Sequence, residues 1–149
     1  ECAGHTGIAG GQFLDLNYEN KKINASKIIS MQKKKTGKLF EFCCLAPAIL
    51  SGASKETKKE MSFIGNELGF LFQISDDLLD ITGTKISVGK PVHSDKKKGK
   101  STLIRLLGYN KTLKFALRTK KTIMNKLNKY GSRSCRLAKI ANFVLDRSY

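Results

Sequence analysis

The apolar residues of this chain recur at the spacing of α-helices, most clearly between Ile64 and Ile81. The apolar positions of that segment are Ile64, Leu68, Leu71, Ile74, Leu78 and Ile81. Together they cover most of the circumference of a helix, and a helix that is apolar nearly all round lies in an interior. The pattern therefore predicts a buried helix, with Ser54 as its N-terminal cap and its end near Ile81.

Helical spacing continues on both sides of this segment. The other helices expected from apolar spacing and capping residues run over residues 25–50, 100–108, 110–130 and 134–145. Asn24 or Ser26 would cap the first of these and Asn110 the third, while Leu117 and Ile140 are expected on inward faces. Because no segment alternates apolar and polar residues as a strand does, the fold class is predicted to be all-α.

Three carboxylates interrupt the apolar helix, at Asp76, Asp77 and Asp80. On a helical projection Asp77 lies at the flank of a narrow stripe made of Gly65, Gly69, Gln73, Asp76 and Asp80. Buried carboxylates are unfavourable unless a cation meets them, and hard oxygen ligands suit Mg²⁺ together with substrate phosphates. The stripe therefore predicts a magnesium-bridged phosphate or diphosphate in a cavity between helices. A solvated acidic face is the alternative, and the apolar flanks disfavour it.

The chain is strongly basic, with 28 Lys and Arg against 12 Asp and Glu among 149 residues, a formal charge of +16. Such a charge is typical of partners that are nucleic acids, anionic membrane surfaces or polyanionic small molecules. No basic patch interleaved with aromatic residues and no zinc-finger spacing is present, so we expect no nucleic-acid partner. Most of the charge is interpreted as solvated helix faces, and a basic helical nucleic-acid-binding protein is kept as the less favoured alternative.

The cysteines and the longest apolar run bear on the compartment. The cysteines are Cys2, Cys43, Cys44 and Cys135, and no two of them form a Cys-x-x-Cys pair. This usage is typical of a reducing compartment, and we expect a cytoplasmic location. Residues 42–50 form the longest apolar run, which is too short to span a bilayer, so no membrane span is predicted.

The central stripe carries a resemblance to a known family. Phe72-Gln73-Ile74-Ser75-Asp76-Asp77-Leu78-Leu79-Asp80 resembles the second aspartate-rich motif of the trans-prenyltransferases, the farnesyl and geranylgeranyl diphosphate synthases. Three further segments resemble other motifs of the family in the family's order: Gly10-Gly11-Gln12-Phe13-Leu14-Asp15, Lys35-Thr36-Gly37, and the loop with Gly89-Lys90, Asp95 and Gly99-Lys100-Ser101-Thr102. The matches span residues 10–102, and four in order are far more specific than one.

This resemblance implies a helical bundle around a central cavity and a prenyl transfer that joins isopentenyl diphosphate to an allylic diphosphate with Mg²⁺. It implies that Asp76, Asp77 and Asp80 hold the metal directly or through water. The residues that it assigns to substrate binding are Lys35, Gln73, Lys90, Lys100 and Gln12. Lys35 would bind the allylic diphosphate, Thr36 and Gln73 would direct oxygen dipoles at the allylic cation, and Gln12 and Asp15 would line the polar end of the cavity.

The family's first aspartate-rich motif has no counterpart in this sequence. The resemblance therefore implies that residues 1–149 are the C-terminal part of a single polyprenyl synthetase domain. It implies a missing N-terminal half as partner and a homodimer when complete. A catalytically incomplete half or subunit is the alternative. The loop also departs from the family pattern at His93, where a glycine is usual, which bears on how the loop contacts diphosphate.

Overall fold

The computed structural model describes residues 1–82, without the side chain of residue 82, and residues 100–146. Every regular element within these ranges is helical, which confirms the all-α prediction. The helices are α1 (Ile8–Asn17), α2 (Ala25–Gln32), α3 (Lys38–Leu50), α4 (Lys55–Thr82), α5 (Leu103–Leu107), α6 (Tyr109–Asn128) and α7 (Cys135–Asp146), with a π-helical turn at Lys33–Gly37 and a 3₁₀ turn at Gly131–Ser134.

Helix α4 is the centre of the bundle, as its apolar circumference predicts. It packs against α3, the π-helical turn, α6 and α7, and smaller contacts join it to α2 and α5. Its fully buried apolar side chains include Ile64, Leu68, Phe70, Leu71 and Ile74. Only near its end does the pattern fail, since Ile81 is 45% exposed. A long central helix of this kind gives the carboxylates of its last turns a fixed position.

The helix starts follow ordinary capping chemistry. The backbone N–H of Lys27 donates to the side chain of Asn24, and that of Thr57 donates to the hydroxyl of Ser54 at 3.1 Å. Asn110 is not the cap of α6, contrary to the prediction. That helix begins one residue earlier, directly after Gly108, whose φ of +79° is a conformation that favours glycine.

One side chain in each of α6 and α7 that was predicted to face inward does not. Leu117 of α6 is 50% exposed and Ile140 of α7 is 47% exposed. The buried stripe of α6 instead contains Thr112 and Thr119, whose hydroxyls donate to the backbone carbonyls four residues earlier. These bonds satisfy the hydroxyls inside the core, so the threonines occupy positions that hydrophobicity alone assigns to leucine.

None of the helices in the two described ranges combines the length and the apolar character that a bilayer crossing requires. The loop predicted from the sequence, with Lys90 and His93, falls within residues 83–99, which lie outside the described residues.

Candidate active site

A π-helical turn at Lys33–Gly37 separates α2 from α3, so residues 25–50 are not the single helix that apolar spacing predicts. Thr36 and Gly37 within the turn are poor choices for a helix interior, which favours an interruption there. A π-helical turn widens the backbone spiral and releases carbonyl groups from the regular pattern. The side-chain amide of Asn66 on α4 donates to the carbonyl of Lys33 at 3.4 Å, which supplies one of the released groups with a partner.

Glycine lets α1 approach this turn. A Cβ atom on Gly11 would lie 2.2 Å from the backbone nitrogen of Lys35, which is far inside van der Waals contact. Because the neighbour is backbone rather than a movable side-chain tip, no larger residue fits there without a shift of α1 or of the turn. Gly11 therefore sets the distance between α1 and Lys35.

The glycines of the α4 stripe have the same role on the other side of the turn. A Cβ atom on Gly69 would lie 2.8 Å from the Cα atom of Gly37, and one on Gly65 would lie 2.5 Å from the carbonyl oxygen of Phe40. The sequence left open whether these glycines make room for a ligand or for a neighbouring helix. The distances show that they make room for the backbone of the turn and of α3.

The close approach of α1 brings Asp15 against Lys35. The ammonium nitrogen of Lys35 lies 2.5 Å from a carboxylate oxygen of Asp15, and the Asp15 side chain is only 8% exposed. Lys35 is therefore not the third member of a solvated lysine run. It is a partly covered cation whose direction is fixed by a buried carboxylate two helical elements away.

Four side chains form a hydrogen-bonded chain where the turn crosses α4. The side-chain amide of Gln73 donates to one carboxylate oxygen of Asp77 at 3.0 Å, and that of Gln32 donates to the other at 2.9 Å. The hydroxyl of Thr36 donates to the carbonyl oxygen of Gln73 at 3.2 Å. The structure therefore joins Thr36, Gln73 and Asp77, which the sequence had placed in one site.

Gln32 is the member of this network that sequence reasoning missed. It is 3% exposed and sits on the buried face of α2 with Ile28 and Met31. Its carbonyl oxygen, Oε1, is buried without a hydrogen-bond partner among the described residues. A glutamine on an apolar helix face was the available signal, because a buried amide requires a polar partner.

Asp76 and Asp80 occupy successive turns of the same face of α4. Asp80 is buried at 4% exposure, whereas Asp76 is partly exposed, and both make polar interactions. Within residues 1–82 and 100–146 no three His, Cys, Asp or Glu side chains converge as a complete metal site. Their carboxylates nevertheless fit Mg²⁺, which takes one or two carboxylates and completes its shell with water and phosphate oxygens.

Three further residues were predicted for the site: Gln12, Lys90 and Lys100. Gln12 is exposed on α1, and in the described part of the chain its side chain is not joined to the Lys35 or Asp77 contacts. Lys100 is partly buried just before α5 and takes part in a polar interaction. Lys90 is outside the described residues. In the same helix as Gln12 it is Asp15, not Gln12, that reaches the π-helical turn.

An open groove runs beside the turn. Its volume is about 370 Å³, and its wall is made of His5, Ala9, Gly10, Phe13, Leu14 and Lys34. Phe13, one of these residues, is 66% exposed. The site thus combines fixed carboxylates and a fixed lysine with apolar surface on the adjoining helix.

Comparisons with known proteins find a matching family and several relatives of this chain. The profile of the family described as Polyprenyl synthetase matches residues 4–140. Farnesyl diphosphate synthase of Bacillus subtilis (strain 168) is 39% identical over 106 residues, which are 71% of this chain and 36% of that protein. The chain thus spans little more than a third of the length of this relative.

Solved structures have the same fold. The crystal structure of heptaprenyl diphosphate synthase from Staphylococcus aureus matches with a TM-score of 0.87 and 20% identity, over 95% of this chain and 57% of that one. A geranyltransferase from Helicobacter pylori, solved in complex with magnesium and isoprenyl diphosphate, matches with a TM-score of 0.79 and 26% identity, over 96% of this chain and 48% of that one.

Proposed function

Because the chain belongs to the polyprenyl synthetase family, we propose that the protein joins isopentenyl diphosphate to an allylic diphosphate in isoprenoid biosynthesis. The observation that carries the proposal is the hydrogen-bonded chain from Thr36 through Gln73 to Asp77, with Lys35 fixed beside it by Asp15. These contacts bring together three of the family-like segments: the one that ends at Asp15, the one with Lys35 and Thr36, and the one with Gln73 and Asp77.

Asp76 and Asp80 are the residues that we expect to hold Mg²⁺. Asp77 is less suited to direct contact with a metal, since each of its oxygens already accepts an amide N–H. It would act through water. When bound, Mg²⁺ neutralises negative charge on a departing diphosphate. The complex of the Helicobacter pylori relative with magnesium and isoprenyl diphosphate supports this assignment.

Lys35 would bind the allylic diphosphate. Its ammonium group has three donors, of which Asp15 takes one, so the others remain to meet phosphate oxygens. The ion pair aims the lysine before substrate arrives, which lowers the entropy lost on binding. Lys90 and Lys100 are proposed to contribute further positive charge to the same diphosphate.

Thr36 and Gln73 would stabilise the cation formed in the reaction. The allylic C–O bond breaks and its electrons leave with diphosphate; the isopentenyl double bond attacks the cation, and loss of a proton completes the product. The bond from the Thr36 hydroxyl fixes the carbonyl of Gln73 in place, so that oxygen dipoles are oriented before charge develops. Ala9, Phe13 and Leu14 in the groove beside the turn would pack against the hydrocarbon chain of the substrate.

The fraction of its relatives' length that this chain covers bears on what the whole protein contains. Since it spans 36% of the Bacillus subtilis synthase, we propose that residues 1–149 form the C-terminal part of one polyprenyl synthetase domain. An N-terminal half would be its partner, and the complete protein would form a homodimer. We expect the 149-residue chain by itself to be a catalytically incomplete half, because it supplies one aspartate cluster.

Substitution of Asp76 tests the proposal. In the complete protein, Asp76→Asn should reduce prenyl transfer by roughly a hundredfold or more, since a lost metal ligand removes transition-state stabilisation of several kcal/mol. The exposed acid Glu56 provides the matched control, and Glu56→Gln should retain full turnover. Assays with isopentenyl and dimethylallyl diphosphates, with circular dichroism of both variants, decide the matter. Ordinary activity of the Asp76 variant at ordinary Mg²⁺ would refute the assignment.

A further inference from the structure

Residues 1–82 carry no net charge, so the formal charge of +16 comes entirely from residues 83–149. Residues 1–82 contain ten Lys and Arg and ten Asp and Glu, whereas residues 100–146 contain twelve Lys and Arg and a single acid, Asp146. The helices that carry the candidate active site are therefore balanced in charge, and α5 to α7 are not. A charge difference of this size between two parts of a chain is typical of a surface for anionic partners.

The cations of α6, together with Lys129 directly after its last residue, are of two kinds. Three of them have partners in the protein: Lys120 bonds to Asp146, Lys126 lies over the ring of Phe63, and Lys129 pairs with Glu60. These cations serve the fold, because they tie α6 to α7 and to α4.

The other cations of α6 form an exposed row, which we name the α6 row. Its members are Lys111, Lys114, Arg118 and Lys121, all exposed and spaced by three or four residues along one face. The opposite face of α6 is the buried one, with Ala116 and Ile123 in the core. Four cations spaced in this way along one helix face repel one another, and the packing of the fold does not require them there.

Apolar side chains accompany these cations at the surface. Leu117 lies next to the α6 row in sequence and on the helix and is 50% exposed. On the adjoining α7, Arg136 and Lys139 share an exposed face with Ile140 and Phe143, the latter 65% exposed. Large apolar side chains among exposed lysines and arginines are the composition of helices that lie on membranes.

We propose that the α6 row, with the exposed face of α7, binds the surface of an anionic membrane. The cations would meet negatively charged lipid headgroups, and Leu117, Ile140 and Phe143 would enter the boundary between headgroups and acyl chains. A nucleic acid satisfies the cations equally well, but its phosphate backbone offers exposed leucine and isoleucine nothing to pack against. The apolar side chains therefore favour a lipid surface.

This surface is separate from the candidate active site. The α6 row includes none of the residues assigned to substrate or metal, so membrane binding and prenyl transfer can fail independently. The proposal stands on the charge distribution and on the exposed side chains, whether or not the reaction proposed above is correct.

Vesicle binding by the purified protein tests the proposal. The probes are vesicles of phosphatidylcholine alone and of phosphatidylcholine with phosphatidylserine, separated from free protein by sedimentation. The test variant is Lys111→Glu, Lys114→Glu, Arg118→Glu and Lys121→Glu together. The matched control reverses four exposed lysines of residues 1–82 by the same charge, as Lys22→Glu, Lys27→Glu, Lys55→Glu and Lys59→Glu.

The protein should bind the vesicles that contain phosphatidylserine and not the neutral ones. Each cation at such a surface strengthens binding by about fivefold, so reversal of the α6 row should weaken it by roughly a hundredfold or more, whereas the control variant should lose far less. Leu117→Ser should weaken binding by several-fold without a change in charge. Circular dichroism confirms that each variant is folded.

Two results would overturn the proposal. Equal losses in the test and control variants would mean that net charge alone acts. Binding of a short DNA duplex that depends on the α6 row, without binding to phosphatidylserine vesicles at the same salt concentration, would assign the surface to nucleic acid instead.

Discussion

Asp77 is held more firmly than an aspartate in a metal-binding motif requires. It is 2% exposed, and two glutamine amides from different helices donate to its two oxygens. Such a carboxylate has little freedom to turn toward a ligand. We infer that its main task is to fix the direction of Gln73 and the last turns of α4, and that Gln32 makes this possible.

Gln32→Leu tests that inference at the level of one residue. The change removes the amide N–H that Gln32 donates to one oxygen of this buried carboxylate, so the free energy of unfolding should fall by about 1–3 kcal/mol. Urea unfolding measures the change. Gln12→Leu is the matched control, because Gln12 is an exposed glutamine outside this network, and it should be near neutral. Equal effects of the two substitutions would show that the Gln32 bond contributes nothing.

The sequence predicts much of the site, but not its connections. Lys35, Thr36, Gln73 and Asp77 do come together, because each belongs to a segment with a recognisable pattern. Gln32 was missed because its partner, Asp77, lies 45 positions away: a glutamine on an apolar helix face signals that a polar partner exists, but not which residue it is. Gln12 and Asp15 were both expected to line the cavity: Asp15 is buried against Lys35, whereas Gln12 is exposed and its place in the cavity stays a prediction.

At the scale of elements, the distance between α1 and the π-helical turn is the feature most sensitive to change. Gly11→Ala places a methyl group 2.2 Å from the backbone nitrogen of Lys35. The two elements must separate, and the Lys35–Asp15 ion pair must lengthen with them. We expect a loss of roughly 1–3 kcal/mol in unfolding free energy, measured by urea unfolding.

Gly4→Ala is the control for this substitution. A Cβ atom there would come no closer than 3.8 Å to its neighbours, so the stability should hardly change. Equal stability of the Gly11 variant and the original protein would mean that α1 is not packed on the turn as described.

The element pattern was predicted best where helices are buried on all sides. Helix α4 was predicted within one residue at each end, because caps and apolar spacing agree there. Helices at the surface were less well predicted, since the buried stripe of α6 mixes Thr112 and Thr119 with apolar residues and leaves Leu117 outside. Which face of an amphipathic helix is covered depends on its neighbours, which spacing alone does not identify.

A second link between elements depends on pH. Glu60 of α4 accepts bonds from the ammonium of Lys129 and the hydroxyl of Tyr130, at the end of α6. The bond from Lys129 and then that from Tyr130 lower the pKa of Glu60 from its usual 4.5. Burial, followed by the bond to Glu60, raises the pKa of Tyr130 from its usual 10.0.

The signs of these shifts set the pH window. The stabilisation from Glu60 is complete above its usual pKa of 4.5 and is lost as pH falls through the lowered value. That from neutral Tyr130 is complete below pH 10.0 and is lost as pH rises through the raised value. The melting temperature of Glu60→Gln should therefore fall less steeply below pH 4.5 than that of the original protein. Glu56→Gln is the control, and identical acid slopes in all three proteins would exclude the link.

The whole molecule divides into two electrostatic parts. The helices that hold the carboxylates and Lys35 lie in residues 1–82, which contain equal numbers of acidic and basic residues. The C-terminal helices keep a large positive excess. The proposed site for diphosphate and metal, which uses both signs of charge, and the α6 row, which uses one, therefore lie on different helices.

This division predicts how ligands stabilise the protein. The aspartates of α4 attract a cation, and the donors of Lys35 that Asp15 does not take attract an anion, so Mg²⁺ and inorganic diphosphate should each bind weakly alone and more tightly together. A ligand that binds only the native state at about a hundred times its dissociation constant adds roughly 2.7 kcal/mol of stability. Thermal melts should thus show a rise of about 5 °C or more with both ligands and little with either alone. Asp76→Asn should abolish the joint shift, and sodium sulfate at equal ionic strength should not reproduce it. A shift with diphosphate alone that equals the joint shift would mean that lysines bind the anion without the aspartates, and the metal assignment would fail.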